Sequence, residues 1–250
     1  MSLDSARLDT ALDTARTALL AERVAEGHWE GELSSSALST AVACAAMQHV
    51  QTATGTEEHC ALIQGGLHWL AEHTNADGGW GDTTKSLSNI STTTLCWATF
   101  HAVPGALEEH AEVVAAAEQW LTKAAGGVTP DYLAPAIIAR YGKDRTFSVP
   151  ILTHCALAGK GRWKDVIQLP FELAALPRNW FAALRLPVVS YALPALIAIG
   201  QCRHQHRPSW NPFTRVLRNA AREKTLQVLE QIQPSNGGVL EATPLTSFVT

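Results

Sequence analysis

No stretch of this chain reaches the roughly 18 consecutive apolar residues that a membrane span requires. The longest candidate, LPVVSYALPALIAIG from Leu186 to Gly200, falls short. The opening segment MSLDSARLDT carries acids and no apolar core, so it does not read as a signal peptide. Paired cysteines are also lacking. Cys44, Cys60, Cys96, Cys155 and Cys202 are odd in number, scattered, and never in CxxC spacing. That pattern indicates neither a disulfide framework nor a zinc knuckle, and favours a reduced, cytosolic setting. Charged residues are few, 17%, and the formal net charge of −4 at pH 7 argues against nucleic acid as the main partner. No apolar–polar alternation persists long enough for a half-buried strand. What the chain has in quantity is apolar residue, 46% of its 250 positions, enough to bury a sizeable core.

The strongest positive signal is self-similarity. From Gly66 to Val103 the chain reads GLHWLAEHTNADGGWGDTTKSLSNISTTTLCWATFHAV. This predicts a helix through Trp69 and Leu70, a polar turn from Asn75 to Gly81, and a second helix from about Ser91. The same grammar recurs three more times. A helix through Leu19 and Leu20 runs into Glu26-Gly27-His28-Trp29, followed by a Ser/Ala-rich helix from Ser34 to Val50. Further on, Gln119-Trp120-Leu121 precedes Gly126-Gly127-Val128 and a helix around Val149 to Ala158. The last unit has Val228-Leu229, then Gly237-Gly238-Val239, then Pro244 to Val249. The spacing is 51 residues from Trp29 to Trp80, 48 from Trp80 to Val128, and 111 from Val128 to Val239. The last interval is two periods, so a diverged unit is expected around Phe181 to Gly200.

Each unit is thus expected to be an α-hairpin. A glycine at the end of the first helix supplies a left-handed cap, and the next lets backbone pass close to a neighbour. The tryptophan after them is a large flat surface that can lock hairpins together. Trp29, Trp69, Gly78, Gly79, Trp80, Trp120, Gly237 and Gly238 are the structural residues this predicts. A fixed period favours that role over ligand binding, because a stacked array must bury its joints. The fold class is all-α, with hairpins curving into an α/α toroid, a single helical repeat domain over residues 1–250 whose last repeat is incomplete.

These turns resemble the tryptophan-glycine ("QW") repeats of squalene–hopene and oxidosqualene cyclases, whose pattern is an aromatic-aliphatic pair, a Gln, then Gly-x-Trp. Trp69, Leu70, Gly78 and Trp80 match it, and Thr74 stands at the Gln position. Glu26 to Gly31 is similar to the family's opening segment. Arg162-Trp163-Lys164-Asp165-Val166 through Leu169-Pro170-Phe171-Glu172 resembles its W-x-x-V…P-P-E stretch, and Pro187 to Gly200 the apolar helix after it. The resemblance covers about Leu12 to Thr250. It implies a class II triterpene cyclase of terpenoid and hopanoid biosynthesis, which protonates squalene or a related polyprene and steers the cation through ring closure. Such chemistry needs an unusually acidic carboxylic acid, an aromatic-lined cavity and the exclusion of water. In the family the acid is the middle Asp of DxDD. The eight aspartates here, at 4, 9, 13, 77, 82, 131, 144 and 165, form no such motif. The chain is therefore expected to be the N-terminal part of a two-domain enzyme, with no catalytic residue of its own and inactive without its C-terminal partner.

Candidate cavity residues are Leu186, Val239, Leu240 and Glu241. Glu241 either reaches a substrate cavity, as the family's loop does, or favours the N-terminus of the last helix through its dipole. Asp77 and Asp82 flank the Trp80 turn and read as turn and cap residues. Cys202, His204 and His206 form a C-x-H-x-H cluster whose spacing suits no familiar metal site, so neither metal nor cofactor is expected. The protein prenyltransferases, a related helical-toroid family, use a D-x-C zinc motif that does not occur here. Between Leu186 and Lys224 an apolar stretch precedes Arg203, Arg207, Arg215, Arg218, Arg222 and Lys224, with Glu223 the single acid among them. Two readings stand: a monotopic, peripheral contact with the cytoplasmic membrane surface, or a buried inner helix followed by a solvated basic one. The rival to a cyclase part is a non-catalytic helical module that binds a prenyl lipid or a partner chain.

Overall fold

A computed structural model of the chain describes residues 4–31, 34–177, 180, 192–239 and 242–250. Among these residues the chain is helical, with no strand and one isolated bridge, Arg23 to Trp29. It divides into two compact units, Met1–Ser35 and Ser36–Thr250.

The first unit is one helix and one turn. Helix α1 (Ser5–Ala21) starts at Asp4, whose carboxylate accepts the Ala6 N–H at 3.1 Å. After Glu22 the chain turns through Gly27 at φ +90°, and the Trp29 indole N–H donates to the Leu19 carbonyl at 2.6 Å.

The second unit carries ten helices among the described residues. Helix α2 (Ala37–Thr54) is capped by Ser36, whose hydroxyl accepts the Ser39 N–H, and stops at Gly55, which is left-handed. Helix α3 (Cys60–Glu72) leads through the Trp80 turn to α4 (Ile90–Ala102), where the Asn89 side chain accepts the N–H groups of Ser91 and Thr92. The caps are thus Ser36 and Asn89. Ser39-Thr40 and Ser91-Thr92 lie inside the first turns of these helices. Helices α5 (Ala106–Glu109), α6 (Ala111–Ala125), α7 (Pro130–Tyr141) and α8 (Ser148–Leu157) follow. After a single 3₁₀ turn at Phe171–Ala175 come α9 (Leu193–His206), α10 (Pro212–Ile232) and α11 (Thr243–Val249). The hairpin expected around Phe181 to Gly200 lies largely outside the described residues, and its described part is the beginning of α9.

Helix α4 is the centre of the core, with every residue from Ser91 to Phe100 buried. It carries large apolar side chains, Leu95, Trp97 and Phe100, and hydroxyls that need partners at this depth. The Thr99 hydroxyl finds them in the Ala41 and Leu95 carbonyls, 3.0 and 2.9 Å away, whereas that of Thr94 has none among the described residues. Contacts among the inner helices close a ring: α2 meets α4, α4 meets α8, α8 meets α9, α9 meets α11, and α11 returns to α2. Each of the first four has an outer partner, α3 on α2, α6 on α4, α7 on α8 and α10 on α9. An array of hairpins that curves back on itself produces this pattern, because every hairpin has an apolar side its neighbour must cover.

Candidate functional site

The glycine turns repeat in geometry as well as in sequence. In the first turn the Val24 N–H donates to the His28 carbonyl at 2.9 Å and the Gly27 N–H to the Val24 carbonyl at 3.0 Å. In the second, Asn75 to Gly79 and Gly78 to Asn75 make the same two bonds at 2.9 Å each. The tryptophan closes the turn in both. Trp80 donates from its indole to the Leu70 carbonyl at 2.9 Å, ten residues back, as Trp29 does to Leu19. Trp80 is buried and Trp29 is 47% exposed. Val239 stands at the tryptophan's place in the last turn, where Gly237 again donates to the carbonyl three residues back, that of Pro234.

The position of the family's Gln also has a common role. It is filled by Arg23, Thr74 and Gln233, each four residues before the left-handed glycine. Arg23 Nε donates to the Gly27 carbonyl at 2.8 Å and Gln233 Nε2 to the Gly237 carbonyl at 3.2 Å. Thr74 is too short to do so and bonds back to the Ala71 carbonyl at 3.0 Å. Gly78 differs from the cap foreseen in the sequence. It lies in a separate turn after α3 has ended at Glu72, whereas Gly126 is the left-handed cap of α6.

Asp77 joins the second hairpin to the third. Its Oδ1 accepts the Ser88 hydroxyl at 2.6 Å and the Gly79 N–H at 3.2 Å, and its Oδ2 accepts the Trp120 indole N–H from α6 at 3.0 Å. The Ser88 bond, with those from Gly79 and Trp120, holds the Asp77 carboxyl below its usual range. Asp82 Oδ1 accepts Asn89 Nδ2 at 2.9 Å and the Thr92 hydroxyl at 2.5 Å. Both carboxylates are occupied in holding the turn. Trp69 is half-buried and stacks on His73 with ring centroids 4.1 Å apart.

Of the candidate cavity residues, Leu186, Leu240 and Glu241 lie outside the described residues. Val239 is buried, and its N–H donates to the Thr246 hydroxyl of α11 at 2.9 Å. Beside it, Gly238, Ala242 and Thr246 face Ala43, Met47 and Val50 of α2 across a hollow of about 430 Å³.

The basic segment divides into structural and free parts. The apolar face of α9 is buried at Ile197, Ile199 and Gly200. Arg203 is buried and donates from Nε to the Val166 carbonyl at 2.9 Å and from Nη1 to the Arg207 carbonyl. Arg218 pairs with Glu172, both carboxylate oxygens lying 3.1 Å from Nε. Gln168 donates to the Gly200 carbonyl at 2.8 Å, and Phe171 is fully buried. The stretch from Val166 to Glu172 is therefore a strap tied to α9 and α10. Arg207, Arg215, Arg222 and Lys224 remain exposed, next to a run of exposed apolar residues: Trp210, Phe213, Val216 and Leu217. The C-x-H-x-H residues do not converge. His204 hydrogen-bonds Asn219 Oδ1 through Nε2 at 2.9 Å, while His206 stacks on Trp163 at 4.2 Å.

A family model for the squalene-hopene cyclase N-terminal domain matches residues 12–192, most of the chain. The chain belongs to that family. Comparison with curated proteins and with solved structures gave no match. The helical fold and the relationship to terpene cyclases follow from membership, and the matched range holds the first three repeats and the strap up to Glu172. Among the described residues no helix is long and apolar enough to cross a membrane.

Sequence reasoning missed two sets of residues. Arg23 and Gln233 could have been found by counting four back from each turn glycine, as was done for Thr74. The half-buried His49 on α2 and the buried His154 on α8 had no sequence signal, since they are far apart in the chain and come to line one cavity only through packing.

Proposed function

We propose that this chain forms one helical wall of a squalene–hopene-type cyclase and rests on a membrane surface from which the polyprene is taken. The family match over residues 12–192 carries the first half of this reading. The acid that protonates the alkene comes from a second domain, since this chain has no DxDD and Asp77 and Asp82 are committed to their turn. On the family resemblance we assign Val239 to the part that faces the substrate, and with it Leu240 and Glu241, which lie outside the described residues. Support for the membrane contact comes from the exposed Trp210, Phe213, Val216 and Leu217 beside Arg207 and Arg215. Exposed aromatics flanked by arginine suit an anionic interface, where the rings enter the headgroup boundary and the guanidinium groups meet phosphate. The contact lies later in the chain than the apolar stretch ending at Gly200, because α9 spends its apolar face on the core.

Sedimentation with anionic vesicles tests this. The wild-type chain should pellet with them. Combined Trp210→Ser, Phe213→Ser and Arg215→Glu should weaken binding roughly tenfold or more, given about 1 kcal/mol for the basic residue alone. Arg218→Glu is unsuitable for this purpose, since it breaks the pair with Glu172. Wild-type chain that stays in the supernatant, or a triple variant that binds as wild type does, would contradict the membrane contact.

A further inference from the structure

The strap, α9 and α10 meet at a corner that holds three arginines and one carboxylate: Arg203, Arg207, Arg218 and Glu172. Arg203 is the deepest of them, 9% exposed. A guanidinium so enclosed is ordinarily paired with an acid. Arg203 has only carbonyls, those of Val166 and Arg207, which take its Nε–H and one Nη1–H. Its other three N–H groups find no acceptor among the described residues.

The acids of this part of the chain do not relieve it. From Lys160 to Lys224 the sequence has Asp165, Glu172 and Glu223 against eleven lysines and arginines. Asp165 accepts from Arg162 Nε at 2.8 Å, Glu172 is held by Arg218 through both oxygens, and Glu223 is exposed. Arg207, which follows the last residue of α9, is exposed. Burial, and after it the charges of Arg207 and Arg218, holds the Arg203 pKa below its usual range. Both neighbours are thus close enough for their charges to act on Arg203. Three guanidinium groups against one carboxylate leave two positive charges. The carbonyl end of α9 offsets about half of one. The remainder has no counter-charge, and the open N–H groups of Arg203 are donors for an anion.

We propose that this corner binds a phosphate dianion, free or as a phosphomonoester. Such a group carries a charge of about −1.5 to −2 at neutral pH, which matches the excess. Its oxygens accept charge-assisted hydrogen bonds from Arg203 and Arg207, while Arg218 stays with Glu172 and contributes its field. The source is either a soluble phosphate or the headgroup of a phosphatidate, whose acyl chains would lie toward the exposed Trp210, three residues beyond Arg207. The site does not rest on the membrane contact, and soluble probes let the two fail separately.

The test is calorimetric titration of the 250-residue chain at neutral pH and low salt, where charge pairing is least screened. The probes are inorganic phosphate, dihexanoyl phosphatidate and dihexanoyl phosphatidylcholine. Phosphate and phosphatidate should each bind one to one, and phosphatidylcholine not measurably. Phosphatidate at least tenfold tighter than phosphate identifies a lipid headgroup as the source; a smaller difference identifies the free anion. Arg207→Gln keeps the carbonyl that Arg203 uses, so helicity and Tm should be retained. It should weaken binding roughly tenfold or more, the loss of one hydrogen bond to a charged group. Arg203→Gln should do the same, and if it loosens the strap Arg207→Gln decides. Arg140→Gln removes an exposed guanidinium from α7 and should change nothing. Failure of both phosphate and phosphatidate to bind wild type would overturn the proposal. So would binding unchanged in folded Arg207→Gln, or binding lost equally in Arg140→Gln.

Discussion

Asp77 accepts hydrogen bonds from Ser88, Gly79 and Trp120 at once, so one carboxylate holds its own turn and ties it to the next hairpin. Trp120→Phe keeps the ring and removes the single N–H that crosses the joint. The expected cost is about 1.5–3 kcal/mol, the range for a hydrogen bond to a charged group, shortened by the solvent exposure of Asp77 toward its lower end. Trp80 is more consequential, because it is a fully buried indole whose N–H also bonds the Leu70 carbonyl in the last turn of α3. Trp80→Ala should cost about 3–5 kcal/mol, as other aromatic truncations in packed sites do. Urea denaturation of the two variants checks both values, and Trp80→Ala within error of wild type would remove the structural role given to these turns.

At the scale of elements, the two left-handed glycines of matching turns should respond differently to substitution. A Cβ on Gly78 would lie 2.9 Å from the Ala116 carbonyl oxygen of α6, whereas a Cβ on Gly237 meets nothing. Both positions have positive φ, so alanine is strained at each. Gly78→Ala adds a clash with backbone and should lower Tm clearly more than Gly237→Ala. Equal shifts would show that the turn is not pressed against its neighbour. The hairpins were legible because their helices are amphipathic or apolar at helical spacing and their turns repeat one vocabulary. Helices α8 and α11 fall within a residue of the segments Val149 to Ala158 and Pro244 to Val249 read from the sequence. The start read at about Ser91 falls within a residue of Ile90, while that read at Ser34 lies three before Ala37, since several Ser residues compete for that cap and only geometry selects Ser36. Gly78 was read as a helix cap because sequence cannot distinguish a cap from a turn five residues on. The strap from Val166 to Glu172 has no periodicity at all, and its partners Gly200, Arg203 and Arg218 come from helices later in the chain.

Over the whole molecule, stability should depend on pH through the ring's interior. His154 is buried and neutral, with its pKa at about 4 against an ordinary 6.5. The unfolded chain therefore binds a proton that the folded chain refuses between those values. Stability is full above about pH 6.5 and falls as pH drops toward 4, by about 3 kcal/mol for this group. The urea midpoint should decline over that window, and His154→Gln should flatten the decline; equal slopes in both proteins would count against a buried neutral imidazole. The polar content of the core was hidden from the sequence for the same reason as the cavity. A histidine on an apolar face looks alike whether it is solvated or enclosed, and only ring closure by α2, α4, α8, α9 and α11 decides.

The central claim is that these 250 residues are a wall of a polyprene cyclase and hold no proton donor for it. The direct measurement is product analysis after incubation of squalene with the chain alone, and with the chain joined to a cyclase domain that carries DxDD. No cyclised product from the chain alone, and product from the joined protein, is the expected result. Cyclisation by the unaided chain would contradict the account and would make Glu241 the first residue to replace.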